Sequence, residues 1–337
     1  MMAQEDFEAG ILRTGAFTCA PILIIGFNRP EMVRGLLGRI AFARPPAIYF
    51  AVDGARNEIE EELVRQTRES ISAIDWPCEV KTFFRSENRG CRNAPPEAIT
   101  WFFGQVDGGI VLEDDCYPAP EFLRFASELL VRYRDDERVG AITAFNRHNF
   151  QTERGMSYHF SKDLNIWAWA SWRRVWEKCR KPLKNNAVEI GSIIAAHTQN
   201  PRMRKYYRRA FAYVSNGGAT WDYQFGFSFM AEKYLSIIPR ERLVSNQGIG
   251  LVASTHTGGY DFFAGEFSTA GAISFPLVHP ACVAPDSAAD DRTERIVTGI
   301  FPRGLIWIGN RLPRCCCPAL TLMGKMVRAV APFLFEV

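Results

Sequence analysis

The run from Gly109 to Cys116 (Gly-Ile-Val-Leu-Glu-Asp-Asp-Cys) constrains the fold most, because a short apolar segment ends in three adjacent carboxylates. Such a segment is typical of a buried strand that delivers charge to the rim of a sheet. Strand alternation predicts Glu113 and Asp115 on one side and Asp114 on the other. Adjacent carboxylates repel one another, so they stay ionised only next to a cation, hydrogen-bond donors or solvent. Bound Mg²⁺ or Mn²⁺ would meet that need, and an acidic turn in water is the alternative.

Three more runs predict strands at 20–26, 47–52 and 79–85, each followed by polar residues and then a helical pattern. This βα alternation predicts a doubly wound, mostly parallel α/β sheet with its polar clusters on one edge. No G-x-G-x-x-G follows the first strand and no P-loop is present, which disfavours a dinucleotide site of that type. Helices are predicted at 31–40, 57–74 and 96–103, with 86–93 as a basic loop.

The polar clusters together predict a nucleotide-diphosphate pocket. Arg29 would meet a phosphate or lie on the surface. Asp53 would accept hydrogen bonds from a base or ribose, or cap the following helix. Two arginines of the predicted loop 86–93, Arg89 and Arg92, would add positive charge at the same edge.

The second half of the chain is dense in aromatic residues. Trp172 and Trp176 have helical spacing and are predicted to pack in the core. Three other tryptophans have polar neighbours and either pack or stack on an acceptor sugar or base, namely Trp167, Trp169 and Trp221.

Two residues in the second half are candidates for chemistry. Asp222 follows a Gly-Gly turn between aromatic residues, which predicts a general base, an N-cap for a helix over 223–233, or both. His256 lies in a loop of small residues and would complete a metal site or touch a diphosphate.

Composition narrows the class of protein. The 337 residues carry a net charge of +3 and are 47% hydrophobic, so a folded protein is expected and nucleic acid is not the predicted main partner. The first 19 residues lack a signal-peptide core, which favours a cytoplasmic location. Residues 320–334 have the pattern of an amphipathic helix that docks on the protein or lies on the inner face of the plasma membrane. Cys315, Cys316 and Cys317 just before it are either lipidated or packed.

In their order and spacing, these pieces resemble metal-dependent nucleotide-sugar glycosyltransferases of the GT-A fold, especially bacterial relatives of N-acetylglucosaminyltransferase I. The matching segments are residues 27–30, 53–54, 88–92, 111–116, 167–176 and 220–224. The resemblance implies Asp115 as a direct ligand of Mn²⁺ or Mg²⁺, with Glu113 and Asp114 near the donor. It also implies Asp53 at the base, commonly uracil, Asp222 as the catalytic base of an inverting enzyme, and His256 near metal or diphosphate.

The expected organisation is a nucleotide-sugar-binding half (18–146), an acceptor-binding half (147–285) and a C-terminal amphipathic tail (300–337). The expected partners are a nucleotide-diphosphate sugar, most simply a UDP-sugar, and a glycan or lipid-linked acceptor. Two alternatives stay open: a non-catalytic nucleotide-sugar or glycan-binding module, and a sugar-phosphate nucleotidyltransferase. The latter would prefer a glycine-rich, basic signature where this chain has Phe27-Asn28-Arg29-Pro30.

Overall fold

The computed structural model describes residues 14–148, 155–180, 187–248 and 272–298. All of these except Gly248 belong to one compact unit. His256, the cysteine triplet and the amphipathic segment over 320–334 lie outside the described residues. The division into halves at residue 146 stays a prediction.

An eight-stranded sheet forms the centre of this unit. Its strands are β1 (Ile22–Gly26), β2 (Ala47–Val52), β3 (Glu79–Phe84), β4 (Gly108–Glu113), β6 (Val139–Thr143), β7 (Tyr158–Ser161), β8 (Trp169–Trp172) and β9 (Leu235–Pro239). They lie in the order β3-β2-β1-β4-β8-β6-β9-β7. All neighbouring strands pair in parallel except at β8, which is antiparallel to both β4 and β6, and at β7, which is antiparallel to β9. The predicted α/β class with a mostly parallel sheet is therefore confirmed.

A second, two-stranded sheet pairs β5 (Cys116–Pro118) with β10 (Val244–Asn246) in antiparallel fashion. The helices of the described residues are α1 (Pro30–Ile40), α2 (Glu58–Glu69), α3 (Gly90–Phe103), α4 (Pro120–Arg132), α5 (Arg173–Cys179), α6 (Ala187–His197), α7 (Pro201–Ser215), α8 (Asp222–Ala231) and α9 (Ser287–Thr298).

Helices cover both faces of the sheet. A Cβ added at Gly109 of β4 would lie 2.4 Å from Phe102 of α3, whereas one added at Gly108 would lie 3.5 Å from Leu130 of α4. Successive strand residues face opposite ways, so α3 and α4 pack on opposite faces. The central strands are accordingly almost continuously buried, as their apolar sequences predict.

Helix α3 begins at Gly90, six residues before the predicted start at Pro96, so the second half of the predicted basic loop (90–93) is helical. Pro95 and Pro96 lie inside the helix, although proline normally marks a helix start or a kink. The early start depends on a capping group from another strand, the carboxylate of Asp53 described below. Local sequence does not show such a contact.

Core side chains lie in α4 and around β8, where the predicted packing of Trp172 and Trp176 in the core is confirmed. Phe122, Phe125 and Leu129 of α4 are fully buried. Trp172 and Trp176 are both buried, and each indole N–H is satisfied, by the carbonyl of Leu130 at 3.1 Å and the hydroxyl of Thr100 at 2.9 Å. No helix of the described residues is long and apolar enough to cross a membrane.

Candidate active site

The parallel strands direct their polar ends to one edge of the sheet. β1, β2, β3 and β4 end there in the order in which the sequence predicts polar clusters. β6 ends at the same edge and β8 begins there, because the N–H of Ala144 donates to the carbonyl of Ala168 at 2.8 Å. The carboxyl edge of such a sheet is the usual place for a ligand.

The acidic turn lies between β4 and β5. Glu113 is the last residue of β4 and pairs with Ile25 of β1. The N–H of Asp114 donates to the Ile25 carbonyl at 3.0 Å, and the N–H of Gln247 donates to the Asp115 carbonyl at 2.7 Å. Main-chain bonds from two sides therefore fix the backbone that carries the three carboxylates.

Arg29 bridges two of these carboxylates from the loop between β1 and α1. Its Nη1 lies 3.3 Å from Oδ1 of Asp114 and 3.1 Å from Oδ2 of Asp115. The prediction that these two aspartates face opposite sides is wrong at this point. The strand ends at Glu113, so the alternation stops and both aspartates reach one guanidinium.

The turn carries more negative charge than Arg29 offsets. Burial raises the pKa of Glu113, and the charges of Asp115, Asp114 and Asp222 raise it further. Burial also raises the pKa of Asp114, and Asp115 adds to that effect. Arg29 acts in the opposite direction on both groups. Ionisation of this cluster costs free energy, so an additional cation would bind there favourably.

Asp222 lies close to the acidic turn although 107 residues separate it from Asp115 in sequence. Its charge contributes to the raised pKa of Glu113. Cys91 of α3 feels the same group, because its pKa is raised first by burial and then by the charges of Glu113, Asp222 and Asp115. The structure therefore brings together the predicted base and the predicted metal-binding turn.

The N-cap prediction for Asp222 is wrong by one residue. Helix α8 begins at Asp222 itself, and Trp221 occupies the N-cap position. The hydroxyl of Thr220 donates to the Asp222 carboxylate. A tight turn with Gly217 at φ +90° precedes this segment, a conformation that favours glycine. The half-buried carboxylate is thus positioned by a helix start and by one hydroxyl donor.

A cavity of about 330 Å³ lies next to Asp222. Trp167 lines it and is half-buried, with the ring of Phe145 at 5.0 Å between centroids. Trp167 therefore keeps its place as a candidate acceptor contact. The wall is completed mainly by aromatic and polar side chains from the segments after β6 and β7 and from α7 and α8, among them Arg147, Asp163, Asn165, Tyr206 and Tyr223.

Trp169 and Trp221 do not have the predicted role of stacking on an acceptor. They are 1% and 5% exposed, and their rings lie 6.4 Å apart between centroids. Phe225 contacts both, at 5.2 Å from Trp169 and 5.9 Å from Trp221. Their polar neighbours in sequence favour exposed ring faces. In the structure, however, the antiparallel pairing of β8 buries Trp169 in the core, and Trp221 at the start of α8 packs near it.

Asp53 is engaged by main-chain donors rather than by an open pocket. Its Oδ1 accepts from the N–H of Gly54 at 3.0 Å and of Arg89 at 2.9 Å, and its Oδ2 accepts from Arg89 at 3.1 Å and Gly90 at 2.9 Å. The carboxylate thus caps α3, not the following helix α2, whose cap is Asn57. Because Asp53 is buried and its oxygens are occupied, the predicted contact with a base has no support in this geometry.

Gly54 makes this capping arrangement possible. A Cβ at that position would lie 2.3 Å from the backbone carbon of Glu87. The side-chain amide of Asn88 also donates to the Gly54 carbonyl at 2.7 Å. The loops after β2 and β3 therefore touch through their backbones.

The two predicted arginines of this region differ in position. Arg89 is exposed and forms an ion pair with Glu97 at 3.3 Å. Arg92 is half-buried in the first turn of α3 and lies near Gly217, in the turn that precedes Asp222. Of the two, Arg92 lies on the side of α3 that approaches the candidate base.

The acidic turn fits a divalent cation that is shared with a ligand. Across the described ranges, no group of three or more His, Cys, Asp or Glu side chains is arranged to hold a metal ion alone. Asp114 and Asp115 nevertheless offer hard oxygens in a cluster with excess negative charge. Mg²⁺ commonly takes one or two carboxylates and completes its shell with water and phosphate oxygens. The predicted ligand His256 falls outside the described residues.

Sequence reasoning missed the polar wall of the cavity. Arg147 follows β6 at the edge where Arg29 follows β1, so strand position gave a usable signal. Asp163 lies two positions after the end of β7, in a segment with no helical or strand periodicity. Tyr206 lies in α7 within a basic segment whose helical character was not recognised, and its hydroxyl lies 3.1 Å from that of Tyr223.

Comparison with known proteins gives weak matches only. No protein-family profile and no curated sequence matches the chain. Among solved structures, UDP-glucose pyrophosphorylase complexed with UDP-glucose matches with a TM-score of 0.33 and 10% identity, over 66% of this chain and 90% of that one. HddC from Yersinia pseudotuberculosis matches with a TM-score of 0.29 and 9% identity, over 47% and 79%. The 4-diphosphocytidyl-2C-methyl-D-erythritolsynthase from Anaerococcus prevotii DSM 20548 matches with a TM-score of 0.26 and 11% identity, over 47% and 76%.

None of the three is named as an N-acetylglucosaminyltransferase. Independently of these matches, the described residues form an α/β fold with a large, mostly parallel sheet, and a cavity lies at its charged carboxyl edge.

Proposed function

We propose that this protein is a transferase that uses a nucleotide-diphosphate sugar and moves the glycosyl group to a hydroxyl acceptor. One observation carries the proposal. The Asp222 carboxylate lines a cavity with aromatic walls and lies within electrostatic range of Glu113 in the acidic turn. Glycosyl transfer needs a general base next to a cavity that fits a sugar, and a nearby group that binds a cation. Asp222 and the acidic turn would provide these two parts.

The donor side of the reaction uses the acidic turn. Asp115, with Asp114 beside it, would hold Mn²⁺ or Mg²⁺ together with the diphosphate oxygens of the donor. When bound, the cation offsets the charge of the departing diphosphate. Arg29 already contacts both carboxylates and would shift its interaction toward phosphate as negative charge develops there.

The acceptor side uses Asp222. Its carboxylate would take the proton from the acceptor hydroxyl as that oxygen attacks the anomeric carbon. A new carbon–oxygen bond forms, the bond to the diphosphate breaks, and the electron pair leaves with the nucleotide. Attack from the face opposite the leaving group inverts the anomeric carbon. The hydrogen bond from Thr220 orients the carboxylate for this step.

Sugar-phosphate nucleotidyl transfer is the second candidate, because it too combines a doubly wound sheet with metal-binding carboxylates at the sheet edge. It requires a loop that cradles a triphosphate. Here the loop between β1 and α1 spans only residues 27–29, contains no glycine, and directs its one arginine onto the acidic turn. This loop favours glycosyl over nucleotidyl transfer.

One assay separates these functions by their products. Purified protein is incubated with a panel of nucleotide sugars and simple glycoside acceptors and, in parallel, with nucleoside triphosphates and sugar 1-phosphates, each with Mn²⁺, Mg²⁺ or chelator. Glycosyl transfer releases a nucleoside diphosphate and needs the cation. Nucleotidyl transfer instead releases pyrophosphate from a nucleoside triphosphate and a sugar 1-phosphate. A binding module retains donor without turnover.

The matched variants are Asp222→Asn and Asp135→Asn. Asp135 has a side chain that is 88% exposed and pairs only with Arg134 at 3.6 Å among the described residues. We expect turnover to fall about a hundredfold or more in Asp222→Asn and to stay unchanged in Asp135→Asn. Pyrophosphate as the product would replace the glycosyl proposal by the second candidate.

We further propose that the donor is a UDP-sugar. The acceptor is a glycan or a lipid-linked glycan that the protein reaches at a membrane surface. The basis for membrane contact is the sequence of residues 304–337, in which Arg311 and Arg314 precede the amphipathic pattern. Sedimentation with vesicles of anionic lipid, comparing the full chain with one truncated after residue 303, tests this statement.

A further inference from the structure

The cavity beside Asp222 has a second polar centre that the transfer step does not use. Arg147, just after β6, lines the cavity together with Asp222. Its guanidinium carbon lies 5.4 Å from the ring centroid of Phe145, which holds the side chain against an aromatic face. Arg147 therefore has a defined position in the wall.

The Nε of Arg147 is buried and has no hydrogen-bond partner within the described part of the chain. A buried, unpaired donor on a charged group is costly, and proteins usually satisfy such groups. Nε itself is closed to solvent, whereas the two Nη groups of the same guanidinium are accessible and also have no hydrogen-bond partner among the described residues. An oxygen of a ligand bound in the cavity is the simplest partner for this guanidinium.

The remaining wall suits a sugar. Trp167 is the tryptophan of the predicted acceptor set that lines the cavity, and aromatic faces bind the apolar face of a pyranose. Asp163, Asn165 and the hydroxyl pair of Tyr206 and Tyr223 add hydrogen-bonding groups. The volume of about 330 Å³ equals that of roughly eleven liquid water molecules, which leaves room for one sugar unit rather than a long chain.

We propose that this cavity is the subsite for the terminal pyranose of the acceptor, and that Arg147 anchors that sugar by donating from its guanidinium Nη groups to one of its oxygens. The inference rests on the proposed function for the role of Asp222, but the binding itself does not require turnover. A neutral hydroxyl and a sugar carboxylate share this acceptor chemistry, and the test distinguishes them.

The charged groups around the anchor are mixed in sign. Lys162 lines the cavity and is exposed, whereas Asp163 lies deeper in the wall. Burial raises the pKa of Asp163, and the charge of Arg147 opposes that rise. Asp163 is thus an anionic counterpart of the anchor in the same wall, and the two can bind vicinal hydroxyls of one ring as acceptor and donor.

The test is direct binding, followed by kinetics. Saturation-transfer difference NMR is recorded with methyl glucoside, methyl N-acetylglucosaminide and methyl glucuronide on wild type, Arg147→Gln and Arg147→Lys. Arg242→Lys is the matched control. Arg242 also lies against Phe145, with its guanidinium carbon at 5.3 Å, but its Nε donates to the Asn146 carbonyl at 3.1 Å and it does not line the cavity.

We expect at least one glycoside to bind wild type and the control, and its affinity to fall about tenfold to a hundredfold in Arg147→Gln. The Arg147→Lys variant should recover only part of that loss, because lysine keeps the charge but lacks the planar pair of Nη donors. Under turnover, the acceptor KM should rise while hydrolysis of the donor alone stays within about twofold. Preference for the glucuronide would assign a carboxylate as the partner.

Two results overturn the inference. One is that no glycoside binds wild type, and the other is that Arg147→Gln binds as well as wild type while remaining folded by circular dichroism. Failure of the proposed function looks different, because glycosides then bind and respond to Arg147 while no nucleotide sugar is hydrolysed.

Discussion

Replacing Asp53 with asparagine tests whether this residue is a structural cap of α3. Both carboxylate oxygens accept main-chain N–H groups, and the distances to Arg89 and Gly90 are 2.9 to 3.1 Å. Asparagine keeps one acceptor oxygen and turns an N–H₂ group toward a second donor. One buried N–H is then left unsatisfied and one charged acceptor is lost.

The magnitude follows from those contacts. A hydrogen bond to a charged group contributes about 1.5 to 3 kcal/mol, and an unsatisfied buried donor costs about 1 to 3 kcal/mol. Because the two effects overlap, we expect Asp53→Asn to lower the free energy of unfolding by roughly 2 to 4 kcal/mol. The exposed cap of α2 offers a comparison, and Asn57→Ala should cost only about 1 kcal/mol.

Urea denaturation followed by tryptophan fluorescence and circular dichroism measures both variants against wild type. A loss in Asp53→Asn no larger than in Asn57→Ala would refute the capping role. It would also return Asp53 to the list of candidates for contact with a base. A large loss together with unchanged nucleotide affinity in the folded fraction is the result that the structure predicts.

Other predictions concern charge and the tryptophans. Burial and neighbouring anions raise the pKa of Glu113 in the folded state, so the protein should lose stability as pH rises from about 5 to about 8. Glu113→Gln should reduce that loss, and the raised pKa of Asp114 should account for the remainder. Equal pH profiles of the variant and the wild type in chemical denaturation would contradict this. Arg29→Met should destabilise the cation-free protein most at high pH, and added Mn²⁺ should reverse the effect; no rescue would count against a cation site. Trp169→Ala should lower the free energy of unfolding by about 3 to 5 kcal/mol, because this ring is fully buried. Trp167→Ala should mainly weaken glycoside binding. Equal stability losses in the two variants would contradict the different burial of the two rings.

Much of the sheet was predictable from the sequence, because local pattern specifies it. The strand over Ala47–Val52 has the predicted bounds, and β1 and β4 begin and end within two residues of the expectation. Their continuous apolar runs fit only a sheet covered on both faces. The acidic turn after β4 could be placed at the sheet edge for the same reason.

Long-range contacts were not predictable in this way. Asp53 caps a helix that begins 37 residues later, and this contact converted a predicted loop into the first turns of α3. Trp169 is buried because β8 runs antiparallel between β4 and β6, and no local signal specifies that insertion. Segments rich in basic residues formed α7 because one apolar stripe packs while the arginines stay in solvent.

The central claim is that the turn carrying Asp115 binds a nucleotide diphosphate through a shared divalent cation. Isothermal titration calorimetry of UDP into wild type and Asp115→Asn, each with Mn²⁺ and with chelator, measures this directly. The account predicts that chelation weakens UDP binding to wild type by at least about tenfold, and that Asp115→Asn shows little dependence on the cation. Equal affinity of wild type with and without the cation would contradict it.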